Sequence, residues 1–140
     1  MLSVDRPLAI VQLVSLRLSL RLRLARASLD GLLRELAAGS ARGVPAPRVS
    51  LTELGRAIDW AERVVDRVPG VGTSCLYRSL GRFGLLKAWG FRPAFVMGVD
   101  PTNPELGHAW LELDGAPFRE ARAHEFVVSF RFPVEPSSRC

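Results

Sequence analysis

The chain has 140 residues, 48% of them hydrophobic, and a formal net charge of +5. This apolar content excludes an intrinsically disordered chain, and the length corresponds to one domain with its own hydrophobic core. No run of about 18 uncharged apolar residues occurs, so the sequence predicts no transmembrane helix. The chain has two cysteines, one of them terminal, and these cannot form a disulfide framework. We therefore expect a reducing, cytoplasmic environment.

The N-terminal third alternates leucine with serine or arginine from residue 14 to 24. A period of two formally predicts a strand, whereas leucine and arginine are good helix formers and β-branched residues are few. On a helix, the leucines form two apolar stripes, one of Leu16, Leu20 and Leu24 and one of Leu18 and Leu22. Two stripes indicate packing on two sides, with a partner as a candidate for the second. An arginine-rich, acid-poor start also resembles a transit peptide, which we rank lower.

Three further helices are predicted before residue 90. The first begins at Ser28 or Leu29 and is ended by Gly39, and a Gly/Pro-rich linker follows over 43–47. Residues 50–53, Ser-Leu-Thr-Glu, form a capping-box signature for a helix that ends before Pro69. After a turn over 70–74, the last helix begins at Cys75, runs to about Trp89 and stops at Gly90.

The C-terminal half reads as short strands. We predict strands over 93–99, 107–113 and 125–132, with a return strand that starts at Pro117, after the turn Asp114-Gly115. Helices followed by antiparallel strands make an α+β domain. We divide the chain into an N-terminal helical segment, 1–44, which packs on the core or on a partner, and a core over 45–140.

Two side chains point to an enzyme with a thiol nucleophile. Cys75 lies at the predicted start of a helix, where the positive end of the helix dipole stabilises a thiolate and lowers the pKa of the thiol. His108 lies on a predicted strand, on one face with Trp110 and Glu112, and an imidazole can act as base and then as acid toward a leaving amine. Such a pair needs a third group that orients the imidazole.

The hairpin after His108 can supply this group, depending on its loop. With a two-residue loop, His108 lies opposite Ala121. With a three-residue loop that includes Leu113, His108 lies opposite Glu120, where Cβ atoms are about 4.5–5.5 Å apart. We favour the three-residue loop because Pro117 lacks an N–H and indicates irregular pairing near the turn.

The order of these motifs resembles one known family. Cys75-Leu76-Tyr77-Arg78, then Met97-Gly98-Val99, then the run His-Ala-Trp-Leu-Glu-Leu-Asp-Gly over 108–115, with an acid at Glu120, are similar to the lasso-peptide leader peptidases, which are transglutaminase-like cysteine peptidases. The resemblance covers roughly residues 50 to 130. It departs from the family at Glu120, where an aspartate is usual. Because the family begins with helices, the resemblance also favours a helix from about Pro7 to Ala27.

The resemblance implies a cysteine peptidase that removes the leader from a ribosomally made precursor peptide. Cys75 would be the nucleophile, His108 the base and acid, and Glu120 the orienting group. Trp110 and Arg78 would contact the substrate, and no metal or organic cofactor is expected. The resemblance further implies a separate leader-binding protein and a lasso cyclase as partners.

Other hypotheses about the function compete with this one. Transglutaminase-like proteins can transfer an acyl group instead of hydrolysing, and a non-catalytic scaffold would keep the same fold. His124 is a rival base without a hairpin partner, Asp114 is a turn residue, and Cys140 is expected to be a free terminal thiol. The positive charge raises nucleic-acid binding, but no aromatic-interleaved basic motif is present, so we expect no nucleic-acid partner.

Overall fold

A computed structural model describes residues 3–40 and 49–134. Within these ranges the chain forms four α-helices, a short 3-10 helix and four strands, which confirms the predicted α+β class. The helices are α1 (Arg6–Arg26), α2 (Leu29–Ser40), α3 (Leu51–Val65) and α4 (Cys75–Ala88). The strands are β1 (Ala94–Asp100), β2 (Asn103–Leu113), β3 (Ala116–Phe118) and β4 (Val127–Phe132), and residues 123–125 form the 3-10 turn.

The sheet is antiparallel throughout, with the order β3-β2-β1-β4. Helix α4 packs on β2, and α1 packs against both α3 and α4. The core lies between the helices and the sheet face that carries Phe95, Ala109 and Leu111. This arrangement brings the first turn of α4 toward the middle of β2, and these two segments hold the cysteine and the histidine of the sequence analysis.

The alternating N-terminal segment is helical, as the resemblance and the residue propensities predicted. Asp5 caps α1 by accepting a hydrogen bond from the Leu8 N–H at 3.1 Å. The stripe that includes Leu20 faces the core, whereas Leu18 and Leu22 are each 54% exposed. Tertiary burial along a period of 3.6 therefore overrides the two-residue alternation of the sequence.

Several predicted boundaries need correction. Helix α2 continues through Gly39 to Ser40, and β2 starts at Asn103, four residues before the predicted start. Helix α3 ends at Val65, consistent with its predicted end before Pro69, and its Ser50 hydroxyl accepts from the Glu53 N–H, as the capping signature predicts. The predicted linker over 43–47, and with it the boundary between 44 and 45, lies outside the described residues, as does Cys140.

The predicted hairpin register is wrong. Leu113 pairs with Ala116 and Leu111 with Phe118, which is the two-residue loop. Both loop residues have positive φ, 51° at Asp114 and 80° at Gly115. Positive φ at both central positions defines a type I′ turn, whose twist matches that of the flanking strands, and Asp-Gly is among its preferred sequences.

None of the helices among the described residues is long and apolar enough to cross a bilayer.

Candidate active site

Cys75 is the first residue of α4, as predicted, and its side chain is partly buried. The preceding residue, Ser74, occupies the cap position, but its side chain makes no capping hydrogen bond, and the first turn contains no acid. The N–H groups at this helix end are thus not taken up by a side-chain cap, in contrast to those of α1 and α3. Free N–H groups and the helix dipole together favour negative charge at this position.

His108 lies on β2 and contacts Glu120. The distance from His108 Nε2 to Glu120 Oε2 is 2.6 Å, and both side chains are largely buried. The other carboxylate oxygen, Oε1, accepts from the backbone N–H of Arg122 at 2.9 Å. Because Nε2 faces a carboxylate, it is the nitrogen that carries a proton, and Nδ1 is left as the basic nitrogen of the neutral ring.

The pKa of Glu120 reflects this environment. Burial raises the pKa of the carboxyl group, but the hydrogen bonds from His108 and from the Arg122 N–H, with the positive charges of the same residues, outweigh burial. The pKa of Glu120 therefore lies below its usual value, and the group is ionised at neutral pH. An ionised carboxylate accepts the hydrogen bond from Nε2 and so fixes the orientation of the imidazole.

The contact between His108 and Glu120 forms by a different route from the one predicted. In the observed register, a regular β3 would place Glu120 opposite Ala109, on the other face from His108. Instead, β3 ends at Phe118, and Arg119 has φ 51°, a left-handed conformation that is uncommon for a residue with a side chain. This break in the alternation of faces lets the Glu120 carboxylate reach His108.

Cys75, His108 and Glu120 line one cavity of about 90 Å³. The cavity also has walls from Ser79, Trp110 and three arginines. A hydrogen bond from the Ser79 hydroxyl to the carbonyl of Ala109, at 3.0 Å and buried, fixes α4 against β2. Since Ser79 is one turn after Cys75 and Ala109 follows His108, this bond positions the thiol relative to the imidazole.

Aromatic rings enclose the imidazole. The His108 ring stacks on Phe126 with centroids 4.9 Å apart and on Trp110 at 6.0 Å. Trp110 is 4% exposed, and its indole N–H is buried without a hydrogen-bond partner among the described residues. Such packing holds the imidazole plane in place and excludes water from one side of it.

Gly98 on β1 makes room for this cluster. It pairs with His108, and a Cβ at this position would lie 2.9 Å from Phe126 Cβ and 3.0 Å from a ring carbon of Trp110. The backbone carbonyl of Val127 would also be 2.9 Å away. The close approach of β4 and the aromatic rings therefore requires a residue without a side chain.

The segment before Cys75 is held by a buried arginine of α1. Arg17 is 1% exposed and donates to Gly72 O at 2.6 Å and to Asp66 Oδ1 at 3.0 Å. Its Nε and Nη1 have no partner among the described residues. The bond to Gly72 ties α1 to the chain three residues before the cysteine, a contact that the leucine–arginine pattern did not predict.

Arg78 lines the cavity, but its guanidinium is already engaged. Its Nη2 lies 3.4 Å from Asp66 Oδ2, and the side chain is 41% exposed. Arg82 and Arg119 line the same wall and also pair with acids of α3. His124 and Asp114 are not among the residues that line this cavity. Among the described residues, no group of three or more potential metal ligands occurs.

A family model for the transglutaminase-like superfamily matches residues 14–131. The chain belongs to the transglutaminase-like superfamily. No match was found among curated proteins or among solved structures. Membership of the superfamily agrees with the α+β architecture and indicates the chemistry of cysteine peptidases or of acyl transferases.

The sequence analysis missed several members of the site. Ser79 could have been found because it lies four residues after Cys75 and so shares its helix face. No local signal marks Phe126, Arg82 or Arg119 as neighbours of His108, because each reaches the cavity through tertiary packing. The superfamily's matched region begins within α1, which contributes the buried Arg17.

Proposed function

We propose that this protein is a cysteine peptidase in which Cys75, His108 and Glu120 form the catalytic triad. The observation that carries the proposal is that one cavity is lined by a thiol at a helix N-terminus, an imidazole and a carboxylate 2.6 Å from that imidazole. These three groups are far apart in the sequence, and they are of the types that nucleophilic catalysis uses: a nucleophile, a base and an acid that orients the base. Superfamily membership supports the same chemistry.

In this proposal each group has a task. Nδ1 of His108 accepts the thiol proton, and the Cys75 thiolate attacks the scissile carbonyl carbon to form a C–S bond. The backbone N–H of Cys75 donates to the resulting oxyanion. His108 then returns its proton to the leaving amine as the C–N bond breaks, and the thioester remains. Water, activated by His108, hydrolyses the thioester and restores the thiol.

The role of Glu120 is to orient the imidazole and stabilise its charged form. Its second oxygen is held by the Arg122 N–H, so the carboxylate cannot rotate freely away from His108. Glutamate is one methylene longer than the aspartate of the resembling family. The left-handed turn at Arg119 brings this longer side chain into bonding range.

For the substrate, we propose the leader segment of a ribosomally made precursor peptide in lasso-peptide maturation. The support is the sequence resemblance at 75–78, 97–99 and 108–115, together with the geometry around those segments. In this proposal a separate leader-binding protein presents the precursor, and a lasso cyclase acts on the released core. The cavity, about 90 Å³, is smaller than a site that encloses a whole ligand, so most of a peptide would lie along the surface around it.

The test is cleavage of a candidate precursor by the purified protein with its leader-binding partner, followed by mass spectrometry. Hydrolysis gives two fragments whose masses sum to the precursor plus one water. An added amine that appears as a conjugate would instead indicate acyl transfer. Cys75→Ala should abolish turnover, whereas Cys140→Ser, the matched change at the other thiol, should not.

Two results would overturn the proposal. Cleavage that persists in Cys75→Ala would exclude Cys75 as the nucleophile. A folded wild-type protein whose Cys75 reacts with iodoacetamide no faster than Cys140 does, and whose rate does not depend on His108, would indicate a scaffold without an activated thiol.

A further inference from the structure

Three arginines form one wall of the Cys75 cavity, and we call them the arginine row: Arg78, Arg82 and Arg119. Each is paired with an acid of α3 or of its C-cap, and these acids follow a helical spacing: Asp59, Glu62 and Asp66. Arg119 Nη1 lies 2.6 Å from Asp59, Arg82 makes two bonds of 2.8 and 2.9 Å to Glu62, and Arg78 lies 3.4 Å from Asp66. None of these acids lines the cavity, so they pair with the arginines from outside it.

Two members of the row, Arg78 and Arg119, have guanidinium donors that make no side-chain hydrogen bond. A guanidinium has five N–H donors, and Arg78 and Arg119 each use one of them in a side-chain bond. Their side chains are 41% and 35% exposed, so solvent or a ligand can reach the remaining donors. Arg82 is more buried and donates twice to Glu62, which suits a supporting role.

Among the residues that line the cavity, positive charges outnumber negative ones, because three are arginines and one, Glu120, is a carboxylate. Outside the lining, Asp59, Glu62 and Asp66 offset part of this positive charge, and Asp66 is shared between Arg78 and the buried Arg17. The one carboxylate that lines the cavity, Glu120, is already bonded to His108. A site with an excess of fixed, pre-oriented guanidinium groups favours a ligand with a carboxylate.

We propose that Arg78 and Arg119 determine substrate specificity by binding an acidic side chain of the peptide close to the scissile bond, with Arg82 as the support between them. The inference rests on the proposed peptidase function and adds the chemical class of the residue that the site selects. Arg78 and Arg82 lie on α4, the helix that begins at Cys75, so their ion pairs also fix the row relative to the thiol.

The experiment compares two alkylating reagents of similar shape, one anionic and one neutral. Iodoacetate carries a carboxylate, whereas iodoacetamide is neutral. In each case the Cys75 thiolate attacks the methylene carbon, the C–S bond forms and iodide leaves. In a Cys140→Ser background, the ratio of the two rate constants measures how strongly the site attracts a carboxylate, and it needs no turnover.

We expect this ratio to exceed that of glutathione and to fall about threefold in Arg78→Gln, and about threefold in Arg119→Gln, at low salt. Arg78→Lys should retain part of the preference because it keeps the charge but loses the planar fork. Arg63→Gln is the matched control, since it removes one exposed cation of α3 that does not line this cavity. Rising salt should reduce the wild-type ratio, because screening weakens the attraction.

A second measurement uses peptides. Acetyl-Ala-Glu-Ala-amide should slow alkylation of wild-type Cys75 by iodoacetamide more than acetyl-Ala-Gln-Ala-amide does, and this difference should disappear in Arg78→Gln. Equal protection by the two peptides, or a reagent ratio that is the same in Arg78→Gln as in Arg63→Gln, would overturn the inference.

The outcome for the proposed function is separate. A wild-type protein that cleaves the precursor but shows no preference for iodoacetate would refute the specificity role alone. An intact preference in a protein that cleaves no peptide would refute the peptidase proposal and leave a carboxylate-binding site beside Cys75.

Discussion

Replacing Glu120 by glutamine is the most informative single perturbation of the candidate site. Glutamine has nearly the same shape, but it removes the negative charge that lies 2.6 Å from Nε2, and its NH2 group cannot accept the Nε2 proton as a carboxylate oxygen does. The fold should survive because the side chain is a near isostere and the Arg122 N–H can still donate to the amide oxygen. The change therefore removes the charge and the charge-assisted hydrogen bond to His108 while it keeps the size of the side chain.

The magnitude follows from the environment of the pair. A hydrogen bond to a charged group contributes about 1.5–3 kcal/mol, and the upper half of that range applies here because both side chains are more than four-fifths buried and weakly screened. At about 1.4 kcal/mol per tenfold, a loss of roughly 2–3 kcal/mol lowers kcat/KM by about 30- to 150-fold.

Two assays measure the effect. The first is kcat/KM for precursor cleavage, and the second is the pH dependence of Cys75 alkylation by iodoacetamide. Without the carboxylate, transfer of the thiol proton to the imidazole is less favourable, so alkylation of Cys75 should be slower at each pH. Glu125→Gln is the control, because Glu125 pairs with Arg122 on the surface and not with His108. Wild-type kinetics and an unchanged alkylation profile in folded Glu120→Gln would refute the role of the carboxylate.

Three further predictions concern stability and positioning. Because the pKa of Glu120 is lowered in the fold, its contribution to stability is present above the unfolded-state pKa and is lost as the pH falls through the lower folded-state pKa. Urea denaturation between about pH 7 and 3 should therefore show a larger fall in the free energy of unfolding for wild type than for Glu120→Gln. Ser79→Ala removes the buried bond to the Ala109 carbonyl and should lower the free energy of unfolding by about 1 kcal/mol, with a fall in kcat/KM, measured by denaturation and kinetics. Gly98→Ala forces a Cβ against Phe126 and should cost about 1–3 kcal/mol by thermal denaturation.

Each of these has an outcome that would contradict it. Parallel pH–stability curves for wild type and the Glu120 variant would mean that the carboxyl titrates alike in both states. The control for Ser79→Ala is Ser129→Ala, which removes a longer, exposed bond of 3.4 Å to Met97 O; equal effects of the two would exclude a special role for the buried bond. A Gly98→Ala protein as stable as wild type would show that the aromatic cluster can shift without cost.

The hairpin shows how a sequence argument can reach a correct contact by a wrong register. The Asp-Gly pair fixes a type I′ turn, and this local preference decided the two-residue loop. In this register a regular continuation of β3 would put Glu120 on the sheet face away from His108. The left-handed conformation at Arg119 restored the contact, and the Asp59 carboxylate holds the Arg119 side chain in place.

In the N-terminal helix, by contrast, the period of two formally predicted a strand, and tertiary packing determined which face of the helix is buried. The two-residue alternation gives two leucine stripes on the helix, and the pattern does not indicate which of them is buried. Packing against α3 and α4 selected the face that contains Leu13, Arg17 and Leu20. The burial of an arginine on that face depends on Asp66 and Gly72, residues about fifty positions away.

The sequence by itself determined the α+β class, the helix that begins at Cys75 and the strand that carries His108, because capping residues, turn dipeptides and hydrophobic periods act over a few neighbouring residues. Only the tertiary structure decided which charges and rings surround those two side chains. The Arg119 turn, the Phe126 stack and the arginine row depend on contacts between elements, and no local pattern of residues encodes such contacts.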